Sequence, residues 1–152
     1  MKHILIDPVS QKIGRTEMKP DRLVRRVIRC LICEAMDFPD NLLFWWNFLG
    51  MLEVSDKPLL AKKGFFVLVD SKGSPLKLCL GRGLIGKTGK NGHPILLPDH
   101  VNPEYVAKFI RFIPPANYKA AVKLSREIHY SPSNDPKVKQ RHLRRALALC
   151  RN

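Results

Sequence analysis

The chain has 152 residues, with 27 Lys and Arg against 13 Asp and Glu, a formal net charge of +14 and a pI near 10.0. With 45% hydrophobic residues, a chain of this length buries roughly 70% of its unfolded surface, which excludes global disorder. The basic excess favours nucleic acid or an anionic membrane as partner and gives no sign of a small-molecule substrate or a cofactor. Cys30, Cys33, Cys79 and Cys150 are too few and too irregularly spaced for a disulfide scaffold. The apolar run before Asp7 and Pro8 is too short for a signal peptide, so a cytoplasmic protein is expected.

The first residues, His3–Ile6, suit a short strand, and Asp7–Lys19 reads as loop within an irregular segment over 1–19. A helix is predicted to start at Pro20 or Asp21, since proline suits the first helical turn and an acid its positive end. Leu23, Val24, Val27, Ile28, Leu31, Ile32 and Ala35 recur at helical spacing, and Arg22, Arg25, Arg26 and Arg29 fall mainly on the other face. Cys30 and Cys33 lie within that helix and read as packing residues. Phe38-Pro39-Asp40 should end it.

Asn41–Leu52 holds no charge and is predicted to be a central core helix, capped by Asp40 or Asn41. It stops well short of the roughly 20 apolar residues of a membrane span. Trp45 and Trp46 lie within it, between Glu34, Asp37 and Asp40 on one side and Glu53 and Asp56 on the other. This acidic setting makes core packing or a protein interface, through 42–52, the better use for them than stacking on bases.

After Lys57 the pattern becomes extended. Gly64–Asp70 is a continuous apolar, aromatic and β-branched run that suits a buried strand. Ser71–Pro75 is turn-like, and Leu76, Leu78 and Leu80 alternate with Lys77 and Cys79 in a strand predicted to pair back on the first. Gly81–Gly92 is glycine-rich and basic, with Arg82, Lys87 and Lys90 on an expected hairpin loop. His93–Pro98 reads as a third strand near an edge, because prolines bound it.

Asn102-Pro103-Glu104 is a helix start, and that helix is predicted to run to Ile113, before Pro114-Pro115. A second should cover Ala116–Tyr130, facing Tyr118, Ala121, Val122, Leu124 and Ile128 inward. Ser131–Pro136 is a polar linker. The last helix, 137–152 in extent, sets Leu143, Ala146 and Leu147 on one side and Lys139, Arg141, Arg144 and Arg145 around the rest.

Two motifs bear on chemistry. Gly81–Thr88 fits the P-loop pattern G-x-x-x-x-G-K-[ST], but Gly89, Gly92 and Pro94 follow where that motif needs a helix to aim its amides at phosphate. Asp99-His100-Val101-Asn102-Pro103 resembles the Asp-His-x-x-Pro core of the HNH-like ββα-metal nucleases, which implies His100 as a general base beside a divalent metal. Cys30, Cys33 and Cys150 do not complete the second cysteine pair of such a protein, so no metal site is expected.

The expectation is therefore a single α+β domain over 1–152, with a small antiparallel sheet over about 64–98 packed against a hydrophobic helix and C-terminal helices. It would bind the phosphate backbone of DNA or RNA through Arg22, Arg25, Arg26, Arg29, Arg82, Lys87, Lys90, Lys139, Arg141, Arg144 and Arg145. The competing expectation is an assembly subunit, matrix-like or of a secretion machine, that meets protein partners through Trp45 and Trp46 or an anionic membrane through its basic face.

Overall fold

The computed structural model describes residues 3–16, 33–47, 62–130 and 134–151. Alternating inward and outward side chains build a first, antiparallel sheet from two hairpins and one central strand. The hairpins are β1 (His3–Asp7) with β2 (Lys12–Thr16), and β3 (Cys33–Phe38) with β4 (Leu42–Asn47). Between them runs β7 (Gly83–Thr88), so the order is β2-β1-β7-β4-β3, and the two-residue β8 (Pro94–Ile95) pairs with β7 at its far end. Ile4 and Phe44 both sit opposite Ile85, which fixes the register.

A second sheet has the order β6-β5-β9, from β5 (Phe65–Val69), β6 (Pro75–Leu80) and β9 (Ile110–Phe112). The helices are α1 (Pro103–Ala107), α2 (Tyr118–Tyr130, entered through a 3-10 turn at Pro115–Asn117) and α3 (Pro136–Ala148). The class is α+β.

Two apolar cores follow from the burial of β5 on both faces. Phe66, Leu68, Cys79 and Ile110 face the first sheet's Ile4, Ile6, Leu42, Phe44, Trp46 and Ile85, with Val101, Val106 and Phe109 closing that core. Phe65, Val67, Val69 and Leu80 face the opposite way, onto Ala121, Val122 and Leu124 of α2 and Ala146 of α3. The second sheet therefore lies between the first sheet and the α2–α3 layer.

Five sequence expectations are corrected here. The predicted core helix is strand β4 as far as Asn47, and residues 48–52 lie outside the described ones. Leu42, Phe44 and Trp46 point in while Leu43 and Trp45 are half-buried on the other face, a period of two. An unbroken apolar run fits strand or helix equally, and the deciding signal is the turn before it. Asp40 and Asn41 have φ of +64° and +57°, a left-handed pair that these two residue types tolerate and that reverses the chain instead of capping a helix.

The predicted helix from Pro20 falls in 17–32, outside the described residues, but its final Cys33 and Ala35 belong to β3. The expected loop over Asp7–Lys19 contains β2. The helix expected to reach Ile113 stops at Ala107, where the Arg111 guanidinium donates to the Ala107, Lys108 and Ile110 carbonyls and β9 begins its pairing with β5. The strands expected to form one sheet over 64–98 are split between two sheets.

Other expectations hold. Strand β1, the β5–β6 hairpin with its turn at residues 71–74, the Asn102 cap and the last two helices stand where the sequence put them. Among the described residues no helix is long and apolar enough to cross a membrane.

Candidate nucleic-acid interface

Helix α3 begins where the Asp135 carboxylate accepts from the Lys137 amide at 2.9 Å, with Pro136 at the first helical position. Its apolar side is fixed by Ala146, which is fully buried, and by Leu147, Leu149 and Cys150 packed on the second core. At 100° per residue, Lys137, Arg141 and Arg144 then form one crest on the opposite side, with Arg145 beside it, and all four are exposed. Lys139 is also exposed. No acid occurs within the helix.

Helix α2 adds a second row. Ala121, Val122 and Leu124 face the core, which leaves Lys119 and Lys123 exposed and Arg126 half-buried along the other side. Glu127 of α2 accepts at Oε2 from Arg145 Nη1 at 2.7 Å, bridging the two helices. That hydrogen bond, reinforced by the charges of Arg145, Lys123 and His142, holds the Glu127 carboxyl below the usual carboxylate range.

Of the predicted binding residues, Arg141, Arg144 and Arg145 come together on α3, whereas Lys139 is exposed on the side of the helix that carries Ala146. Three others stand elsewhere. Arg82 lies between β6 and β7 and donates to Asp7 Oδ2 at 3.3 Å. Lys87 is half-buried inside β7, and Lys90 is exposed in the β7–β8 turn, both on the first sheet and separated from α3 by the second. Of the expected hairpin loop, Gly83–Thr88 is thus corrected to a central strand, which carries Lys87, with Arg82 before it and Lys90 in the turn after it. Arg22, Arg25, Arg26 and Arg29 lie outside the described residues. Lys119, Lys123 and Arg126 were legible as cations at helical spacing but need the packing direction of α2 to be recognised as a surface.

The same strand removes the P-loop reading. Gly83–Thr88 of that pattern is strand β7, and the next element is the two-residue β8 instead of a helix. Its glycines serve packing: a Cβ on Gly83 would lie 2.7 Å from Phe44 Cε2 and 3.0 Å from Phe66 Cζ, and one on Gly86 would lie 2.7 Å from His3 Cδ2.

Trp46, expected as a possible partner-binding residue, is instead buried in the first core, with Lys77 Nζ 3.7 Å above its ring. Burial pushes the Lys77 pKa down from the ordinary lysine value. Trp45 is half-buried beside Gly86 and His3.

His100 stands in the turn before α1, and its Nε2 lies 3.0 Å from Asp40 Oδ2. The same oxygen accepts from the Tyr105 hydroxyl at 2.5 Å. Burial, then the bond to Asp40, raises the Tyr105 phenol to about 12, while the bonds from Tyr105 and His100 lower Asp40. Among the described residues no three His, Cys, Asp or Glu side chains converge as metal ligands. Cys79 is buried and its thiol is pushed up to about 12; Cys150 is half-buried and donates toward the Arg111 carbonyl.

Comparison of the chain with protein-family models, curated proteins and solved structures finds no match.

Proposed function

We propose that this chain binds nucleic acid by neutralising backbone phosphates with the exposed face of its α2–α3 layer. The observation that carries the reading is the crest of α3, where Lys137, Arg141, Arg144 and the adjacent Arg145 share one exposed side of a helix that has no acid. A helix that buries Ala146 and packs Leu147 against the second core cannot turn Lys137, Arg141 and Arg144 inward, so their charge stays available to a partner. The net charge of +14 adds long-range attraction to the same ligand. The cytoplasm is the compartment proposed for it, supported by the free thiols of Cys79 and Cys150.

Binding of this kind releases counterions, and log K falls with log salt by about 0.9 per phosphate contacted on duplex DNA and about 0.7 on a single strand. Fluorescence anisotropy with labelled oligonucleotides between 50 and 200 mM salt, values of about the range in which such binding weakens most visibly, tests it. Wild-type protein should bind with a steep slope, and Arg141→Glu with Arg144→Glu should flatten the slope by about two units on any sequence. No binding at low salt, or an unchanged slope in the folded double variant, would remove this reading.

A further inference from the structure

We infer that the two cation rows of the α2–α3 layer join end to end into one phosphate track, which takes a single strand of nucleic acid and carries Glu127 as a built-in competitor at its middle. This rests on the nucleic-acid reading above and narrows it to one class of ligand.

The first ground is the direction of the helices. The Asn117 side-chain amide, just before α2, donates to the Leu149 carbonyl at 2.8 Å and to the Arg151 carbonyl at 3.4 Å, at the end of α3. Further along α2, Glu127 meets Arg145. The helices are therefore antiparallel. Lys119 stands toward the last residues of α3, where Arg151 is also exposed, while Lys137, Arg141 and Arg144 occupy the other half of the layer. The two rows are offset along the axis and follow one another. From Lys137 the exposed cations run through Arg141 and Arg144 to the Glu127–Arg145 bridge, then through Lys123 to Lys119 and Arg151. At 1.5 Å per residue along the axis and about 8–10 Å between helices, that path is about 20 Å long.

The length of the track selects the ligand. Phosphates follow one another at about 3.4 Å along one strand of a duplex, so about six of them fit. Over about six base pairs a duplex strand turns through more than half of its repeat of about 10 base pairs, and it leaves a surface made of two helices side by side. A single strand can bend to stay on it.

Glu127 is the second ground. It is the one acid within α2 and α3, and it lies where the rows meet, with its Oε2 2.7 Å from Arg145 Nη1 and the charges of Lys123 and His142 close by. These neighbours hold its carboxyl below the usual carboxylate range, so it is ionised at neutral pH. Glu127 thus occupies Arg145 as a phosphate would. A strand crossing from α3 to α2 has to draw Arg145 away from it, and that cost falls only on ligands long enough to cross.

The experiment measures the full chain by anisotropy against single strands of about two, six and twelve nucleotides, in DNA and in RNA, and against the duplex of each longest strand. The variants are Lys119→Glu with Lys123→Glu, Arg141→Glu with Arg144→Glu, and Glu127→Gln, each first shown by circular dichroism to be folded. For the nucleic acid that binds more tightly, affinity should climb about tenfold or more up to six nucleotides and gain little beyond. The longest strand should bind more tightly than its duplex. Reversal on either helix should lower its salt slope by about 1.4, two contacts at about 0.7 each, and Glu127→Gln should raise the slope by about 0.7 by releasing Arg145. A duplex that binds more tightly than its strand, a dinucleotide that binds as tightly as the longest strand, strand binding untouched by reversal on α2, or an unchanged slope in Glu127→Gln would each overturn the inference and leave phosphate binding by α3 in place. Failure of wild-type protein to bind any of these ligands would overturn both.

Discussion

The Tyr105 hydroxyl donates to the Asp40 carboxylate across 65 positions of sequence, tying the tip of the β3–β4 hairpin to helix α1. His100 joins the same oxygen and stacks edge-on against Tyr105, with ring centroids 5.5 Å apart. The left-handed backbone at Asp40 aims the carboxylate at both partners. One turn thus carries a chain reversal and a tertiary tie.

That tie should be visible in an alkaline titration. Tyr105 ionises near 12 in the folded chain against an ordinary 10, so its contribution to stability is complete below pH 10 and is lost as pH rises from 10 toward 12. Asp40 is depressed, so its contribution is present above the ordinary carboxylate range and is lost as pH falls through the folded value, below about 4. Absorbance of tyrosinate across pH 9–13, roughly the range around the ordinary phenol value, should lose its late step in Tyr105→Phe. In Asp40→Asn that step should move part of the way toward 10, because burial is the larger cause of the shift. An unaltered curve in both variants would show that the hydrogen bond is not formed in solution.

The glycines of the P-loop-like stretch should behave as packing residues. Gly83→Ala and Gly86→Ala each press a methyl group onto aromatic rings at under 3 Å and should destabilise by about 1–3 kcal/mol in urea unfolding. ATP with magnesium should leave the Tm of wild-type protein unmoved. A nucleotide-dependent rise of several degrees that Lys87→Ala abolishes would contradict the strand assignment of this stretch.

How far the chain could be read in advance follows from the kind of signal each segment carries. Helices α2 and α3 and the Asn102 cap were legible because helical spacing, a cap residue and flanking prolines agreed. The β5–β6 hairpin was legible because its turn is local. Strand β4 was not, since Leu42–Asn47 has no polar residue to reveal a period before Asn47. Strand β7 was hidden differently: glycines that look like a loop are required by Phe44, Phe66 and His3, which arrive from distant parts of the chain. The α3 crest was readable residue by residue. Its companion row on α2, and the tie of Asp40 to Tyr105, needed the tertiary arrangement.

The cap of α3 supports the proposed binding surface. Asp135→Ala removes the acceptor for the Lys137 amide and should cost about 1 kcal/mol. Hydrogen exchange should quicken at Lys137 and through the first turn and leave the Ala146 end protected. Uniform exchange along the whole helix would mean that α3 opens as one unit.

Cys79 offers a test of the first core. It is fully buried between the sheets, with its thiol raised to about 12 by burial, so thiolate is scarce and access is closed. In a variant with Cys30, Cys33 and Cys150 changed to Ser, a thiol reagent should react at the rate of unfolding and accelerate in urea. Rapid labelling of the native protein would show that the two sheets separate readily at β6.

The position of β7 at the centre of the first sheet sets the order in which the chain can assemble. Ile4 and Phe44 both pair with Ile85, so neither flanking hairpin reaches its final neighbour until β7 has been synthesised. The β5–β6 hairpin closes between Phe65 and Leu80 without waiting for any later segment. Synthesis proceeds at about 5–20 residues per second, whereas hairpins form in about 1–10 microseconds. A nascent chain therefore waits for seconds with β1 and β4 presenting unpaired edges. During that interval chaperone binding, or association with another unfinished chain, competes with folding, and the hazard ends when Gly83–Thr88 slots between the two hairpins.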